Sequence, residues 1–277
     1  MKIFKEIKYL IALSRPLNVL ITFLSVWIAG VIAGGVQLSA PLLMAALSAS
    51  LIGAAANMVN DIYDVEIDRI NKPHRPLPSG KVRVGQAWTY YLLLNLIGLL
   101  IAVSLGFPLL VVALLVMALL FWYGKSLKRT VLWGNLTVSL CTALAFIYGA
   151  MAINDWRQGI FPALFAFFFH WGREVLKDLQ DVRGDLAQGA VTFAGRFGVR
   201  KTILLINLIF LFLIILTIVP YIVHLYNKMY LWVVVFGVDA VVLFAALLLW
   251  LKNDGKTLGR LSHLLKLDML IGLLALY

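Results

Sequence analysis

The chain has 277 residues, of which 62% are apolar and only 13% charged, with a mean hydropathy of +0.95. Soluble globular domains run near one-quarter charged, so this composition excludes a water-soluble fold and leaves lipid as the solvent. A formal charge of +11 would suit nucleic acid if it were clustered, but the basic residues fall in alternate connections between apolar runs, so no nucleic-acid partner is expected.

A helix rises about 1.5 Å per residue and must cross about 30 Å of hydrocarbon, so apolar runs of about 17–25 residues predict spanning helices. Nine stretches follow in chain order: 17–35, 41–60, 88–105, 107–123, 131–151, 160–176, 202–220, 229–251 and 264–277. The predicted fold is therefore all-α and polytopic, one transmembrane domain over 1–277. No small-residue cleavage site closes the first run, which is expected to be a retained span. Cys141 is the one cysteine and leaves no disulfide to form within the chain.

Lys2, Lys5, Lys8 and Arg15 precede the first run, and Arg69, Lys72, Arg75, Lys81 and Arg83 lie between the second and third. Lys125, Lys128 and Arg129 follow the fourth; Arg173, Lys177, Arg183, Arg196, Arg200 and Lys201 flank the connection after the sixth. Lys252, Lys256 and Arg260 follow the eighth, whereas the opposite connections hold Arg157 and Lys228. This positive-inside bias places the N-terminus and the basic loops in the cytoplasm and the C-terminus outside. Part of the basic excess remains for anionic ligands or membrane lipid headgroups.

Of 13 acidic residues, most sit in two short stretches: Asn57 to Asp68 and Glu174 to Asp185. Asp61, Asp64 and Asp68 stand at i, i+3 and i+7, which on a helix is one narrow face, and Asp178, Asp181 and Asp185 repeat that spacing. The pattern extends one turn back, to Asn57 in one stretch and Glu174 in the other. Three stacked carboxylates repel one another, and near lipid the cost rises. A divalent cation would neutralise such a stripe. Carboxylate oxygens suit Mg2+, which keeps several waters and is shared between a few carboxylates and substrate phosphates. Two such stripes could hold a diphosphate between two magnesium ions and stabilise it as a leaving group.

The run Asn60-Asp61-x-x-Asp64-x-x-x-Asp68, followed by Asn71-Lys72-Pro73-His74-Arg75-Pro76-Leu77-Pro78-Ser79-Gly80, resembles the UbiA superfamily of intramembrane prenyltransferases. Asp178-x-x-Asp181-x-x-x-Asp185 resembles that superfamily's second motif; Arg15-Pro16-x-Asn18 and the pair Tyr123 and Lys128 are further matches. The resemblance implies nine helices around a central cavity, with cytoplasmic loops near 61–87 and 178–201 capping the active site. It implies that the motifs bind magnesium and a prenyl diphosphate donor, whose allylic C–O bond ionises before the acceptor attacks. Carried onto this chain, the metal set is Asn60, Asp61, Asp64, Asp68, Asp178, Asp181 and Asp185, with Asp61, Asp64, Asp181 and Asp185 in the catalytic role. Asn57, Lys72, Arg75, Tyr123 and Lys128 are the expected diphosphate partners. Pro73, Pro76 and Pro78 stiffen the loop after the first motif, a form suited to a lid. Arg75 suits bidentate phosphate contact.

Within the superfamily, the first motif and the run Lys177 to Asp185 followed by Gly189-Ala190-Val191-Thr192 are most similar to the archaeal-type digeranylgeranylglyceryl phosphate synthases. That branch implies transfer of a geranylgeranyl group to geranylgeranylglyceryl phosphate, forming the second ether bond of the lipid. A lipid-like, phosphate-bearing acceptor needs its own cations, for which Arg15, Lys125 and Arg173, with Asn18, are candidates. Two other readings stay open: an aromatic acceptor, of 4-hydroxybenzoate or chlorophyll-synthase type, and a non-enzymatic transporter or scaffold. Transport would place acids at mid-span, and Asp239 is an acid inside an apolar run. His170 and Asn95 read as packing residues, His74 as a solvated loop residue, and Asn135 as a residue bonding across helices or lining the cavity.

Overall fold

The computed structural model describes residues 2–34, 39–187, 189 and 191–276. Gly35 and Tyr277, which end two of the predicted runs, and Ala190 lie outside the described residues. Among the described residues every regular element is helical: α1 (Lys2–Ser14), α2 (Pro16–Gly34), α3 (Ala40–Tyr63), α4 (Val65–Asn71), α5 (Val84–Leu105), α6 (Phe107–Lys125), α7 (Trp133–Met151), α8 (Ile160–Ala187), α9 (Phe193–Ile222), α10 (Lys228–Val233), α11 (Ala240–Leu251) and α12 (Gly255–Leu276). Short 3-10 turns occupy Leu127–Arg129 and Trp156–Gly159, and a π-helical segment, Val234–Asp239, joins α10 to α11.

The boundaries follow local chemistry. Pro16 opens α2, where its missing N–H is not needed. Ser39 caps α3 by accepting from the Leu42 N–H at 3.3 Å, and Thr192 caps α9 by accepting from Gly195. Gly198, at φ +80, breaks α9 near its start, a conformation that glycine adopts without a Cβ clash.

Among the described residues seven elements are long and apolar enough to cross a membrane: α2, α3, α5, α6, α7, α9 and the run Lys228–Leu251. The remaining two of the nine predicted stretches lie in α8 and α12. Charged residues interrupt both, Arg173, Glu174 and Lys177 in one and Arg260, Lys266 and Asp268 in the other, so length and composition qualify seven and not nine. The outer faces match lipid: Leu92, Leu96 and Leu100 of α5, Leu204, Leu208 and Leu211 of α9, and Leu243 and Leu247 of α11 are all exposed.

The chain divides into two compact units, Met1–Leu127 with Leu144–Gly159, and Lys128–Ala143 with Ile160–Tyr277. Lipid tails are as apolar as leucine, so close packing, more than apolarity, must hold the helices together. In the first unit α3 supplies that closeness through buried small residues, Ala45, Ala46, Ser48, Ala54 and Ala55. Ser48 donates to the Gly98 carbonyl of α5 at 2.7 Å, and a Cβ on Gly98 would come within 3.2 Å of the Ser48 carbonyl. Gly149 brings α7 against α2 still more tightly: a Cβ there would sit 2.0 Å from the Val26 carbonyl oxygen. The second unit is held by larger side chains, with Val175, Leu176, Ile206, Phe210, Val242 and Leu265 fully buried among α8, α9, α11 and α12.

Candidate active site

In the first unit the acidic stripe is anchored by two arginines. Asp61 near the end of α3 and Asp68 in α4 are 5% and 4% exposed. The Arg75 guanidinium donates to Asp68 at 2.5 Å and to Asp61 at 3.3 Å, and Arg15 donates to the same Asp61 oxygen at 2.5 Å. Buried carboxylates need such partners, because an uncompensated charge at this depth is costly.

Each arginine is delivered by local structure. Arg15 sits between α1 and α2 at φ +55, an unusual conformation for a side-chain-bearing residue, just ahead of Pro16. Asn57 fixes that joint by donating to the Ser14 carbonyl at 2.9 Å and accepting from Asn18 at 3.4 Å. The Arg-Pro-x-Asn run is thereby fastened to α3 one turn before Asp61. Arg75 lies in a tight Pro-rich loop closed by Arg75 N–H to the Lys72 carbonyl and Ser79 N–H to the Arg75 carbonyl, both at 3.0 Å. Leu77 plugs this loop into a core with Leu10, Leu13, Met58 and Ile62, which turns Arg75 inward and leaves Lys72 and His74 exposed.

The predicted single helical face is in fact interrupted. Asp64 ends α3 at φ −97, ψ 1, and α4 begins at Val65. Asp61 and Asp68 still converge, because Arg75 bridges them. Asn60 and Asp64 are half-buried, and α6 closes on the stripe: a Cβ on Gly124, next to half-buried Tyr123, would lie 3.6 Å from the Asn60 Cα. Lys125, at the end of α6, is exposed.

In the second unit one unbroken helix, α8, carries Glu174, Asp178, Asp181 and Asp185. Glu174 is buried and accepts from Lys177 at 2.7 Å and Arg173 at 3.2 Å. Arg173 also donates to the Ser262 carbonyl at 3.3 Å, so it is engaged within the protein. Asn135 of α7 donates to Asp178 at 2.9 Å, a site contact that the sequence reading left as one of two possibilities. Its signal was a lone amide in the first turn of an apolar helix. Burial pushes the Asp178 carboxyl up to about 7, and burial together with the neighbouring Asp181 charge pushes Asp185 up to about 6. A cation brought to Asp178 and Asp185 would oppose both shifts by favouring the charged carboxylates. The segment after it is tied down by the Val191 N–H on the Arg129 carbonyl at 3.0 Å, within the same stretch as half-buried Lys128.

A model of the UbiA prenyltransferase family matches residues 19–267, across both units. The chain belongs to the UbiA prenyltransferase family. It is therefore a prenyltransferase and a multi-pass membrane protein. The chain is 36% identical over 275 residues to the digeranylgeranylglyceryl phosphate synthase of Korarchaeum cryptofilum (strain OPF8), covering 96% of this chain and 95% of that one. Among solved structures, a digeranylgeranylglyceryl phosphate synthase in membranes is similar at TM-score 0.82 and 28% identity, over 98% of this chain and 97% of that one. A UbiA homologue from Archaeoglobus fulgidus bound to GPP and Mg2+ shares the fold at TM-score 0.70 and 18% identity, over 97% and 99%.

The donor set of this UbiA chain fits magnesium in kind: carboxylate and amide oxygens, with no thiolate or imidazole among the motif residues. Among the described residues no three His, Cys, Asp or Glu side chains form a ready-made cage.

Proposed function

We propose that the chain transfers a geranylgeranyl group from geranylgeranyl diphosphate to the free hydroxyl of geranylgeranylglyceryl phosphate, with magnesium as its metal. The observation that carries the reading is similarity to enzymes of that name over almost the whole of both chains, in a protein whose two acidic stripes keep the same spacing. Asp61, Asp64 and Asp68, with Asn60, and Asp178, Asp181 and Asp185 would hold the metal. When bound, magnesium supplies Lewis-acid stabilisation of the departing diphosphate.

The chain's own residues do the rest. Arg75 already bridges Asp61 and Asp68, so a donor that brings cations to those carboxylates frees its guanidinium to grip phosphate oxygens. Lys72, which is exposed, Tyr123, Lys128 and Asn57 add to the donor's diphosphate site. Arg15, Asn18, Lys125 and Arg173 are the residues offered to the acceptor phosphate. The loops near 61–87 and 178–201 exclude water, which would otherwise capture the allylic cation. The allylic C–O bond breaks, the acceptor oxygen forms the new ether bond and its hydroxyl proton is released. The positive-inside bias of the basic loops supports a cytoplasmic face for this chemistry.

Purified protein in detergent, given magnesium and radiolabelled geranylgeranyl diphosphate, should yield labelled diether from geranylgeranylglyceryl phosphate and nothing from 4-hydroxybenzoate. EDTA should abolish the product and added magnesium restore it. Product from the aromatic acceptor would move the enzyme to another branch, and turnover unaffected by EDTA would sink the metal assignment.

A further inference from the structure

The acidic stripe of α8 changes character at its N-terminal end. Glu174, one helical turn before Asp178, is wrapped by bases instead of standing open. Lys177 Nζ donates to both Glu174 oxygens, at 2.7 and 3.0 Å, and Arg173 Nη1 donates to one of them at 3.2 Å. The side chains of Lys177, Arg173 and Glu174 are 38%, 14% and 9% exposed. Two cations therefore meet one acid in a largely enclosed place. Asp178, the next acid along, accepts from Asn135 and is spoken for by the metal set. Surplus positive charge at this depth is costly unless an anion completes it.

Hydrogen-bond donors are left over as well as charge. Arg173 gives Nε to the Ser262 carbonyl of α12 at 3.3 Å and Nη1 to Glu174, two contacts that fix the plane of its guanidinium. Among the described residues its Nη2 group has no acceptor. Lys177 gives two of its N–H bonds to Glu174 and keeps one. A guanidinium held in one plane beside a less buried ammonium suits the several oxygens of a phosphate.

We propose that Arg173 and Lys177 bind the phosphate monoester of the acceptor, with Glu174 holding both cations in register while the site is empty. The assignment rests on the acceptor reading above and deepens it by joining Lys177 and Glu174 to Arg173. Four residues separate Glu174 from Asp178, about 6 Å along the helix, a span that a glycerol backbone covers. Phosphate bound at the pair leaves the acceptor's free hydroxyl beside the stripe proposed to hold the metal. The same alcohol without its phosphate leaves the surplus charge uncompensated, so the pair sets acceptor choice.

The test uses the full-length protein in detergent with EDTA and reads binding of tritiated geranylgeranylglyceryl phosphate instead of turnover. Geranylgeranylglycerol should compete about 100-fold less well than unlabelled acceptor. Lys177→Gln should weaken binding about 10-fold, and Lys177→Arg should restore most of it. With magnesium and donor present, Lys177→Gln should raise the KM for the acceptor and leave that for the donor unchanged. Equal competition by the alcohol would overturn the proposal, as would wild-type affinity in Lys177→Gln. Phosphatidic acid or inorganic phosphate competing as well as the acceptor would make this a general phosphate site and overturn it too. If Lys177→Gln fails to fold, acetylation of Lys177 in the wild-type chain, read by mass spectrometry, decides the same point. Protection by the phosphate ester and not by the alcohol supports the pair, and equal reactivity with both overturns it. Wild-type protein that binds the phosphate ester at this pair yet transfers to no acceptor would sink the prenyl-transfer reading and leave the site standing. Normal transfer and unchanged binding in Lys177→Gln would do the reverse.

Discussion

Arg75 illustrates how one side chain can govern a carboxylate stripe. Its Nη1 donates to both Asp68 at 2.5 Å and Asp61 at 3.3 Å, and the planar guanidinium fixes the directions of that nitrogen's N–H groups. Lysine carries the charge without the fork, so Arg75→Lys and Arg75→Ala should both lower kcat/KM for the donor, by about 10-fold and about 100-fold respectively. Equal activity in all three proteins would show that bridging is irrelevant to turnover. Asp64→Ala and Asp181→Ala should each reduce transfer by about 100-fold or more while leaving the unfolding temperature nearly unchanged, since neither side chain is fully buried. Near-normal activity in either, with magnesium present, would remove that residue from the metal set. The aspartates were legible from spacing alone. That Arg15 reaches Asp61 was not, because the contact depends on the φ +55 joint and on Asn57, 43 residues away from the Ser14 carbonyl it binds.

At the scale of the element, small residues decide where helices meet. Gly149 shows this most directly, with a Cβ position only 2.0 Å from a backbone carbonyl of α2 that cannot move aside as a flexible side chain could. Gly149→Ala should therefore destabilise the protein by about 2 kcal/mol or more, read as a fall in unfolding temperature in detergent. Gly85, where a Cβ meets nothing within 4 Å, is the matched control and should tolerate alanine with little change. Equal effects at the two positions would mean that the close contact carries no energetic weight. The broken helix at Asp64 belongs to this scale too. Periodicity predicted a single face, whereas the chain stops α3 and starts α4 within the motif and restores convergence through Arg75.

For the whole molecule, the distribution of charge predicts a topology that labelling can check. Cys141 is buried, so the native chain gives little background to a thiol probe. Cysteines introduced at Lys81 and Lys125 should be protected from a membrane-impermeant maleimide in intact cells, whereas one at Arg157 should react. The reverse pattern would invert the orientation while leaving the fold untouched.

Composition, apolar runs and the two repeated spacings were enough to determine a polytopic helical protein with paired acidic motifs, and the resemblance of those motifs to the UbiA superfamily implied prenyl transfer. Those features are local, and the physics behind them acts within one helix or between one helix and lipid. Only the tertiary structure decided that Arg15 and Arg75 share Asp61, that Asn135 serves Asp178, and that Asp268 is enclosed without a hydrogen-bond partner. Those pairings join residues distant in sequence, and a linear pattern does not encode which faces of two helices will meet. Asp268 makes the point most sharply. In sequence it is one acid in a predicted apolar run, and only the packing around α12 encloses it, 2% exposed and without a hydrogen-bond partner.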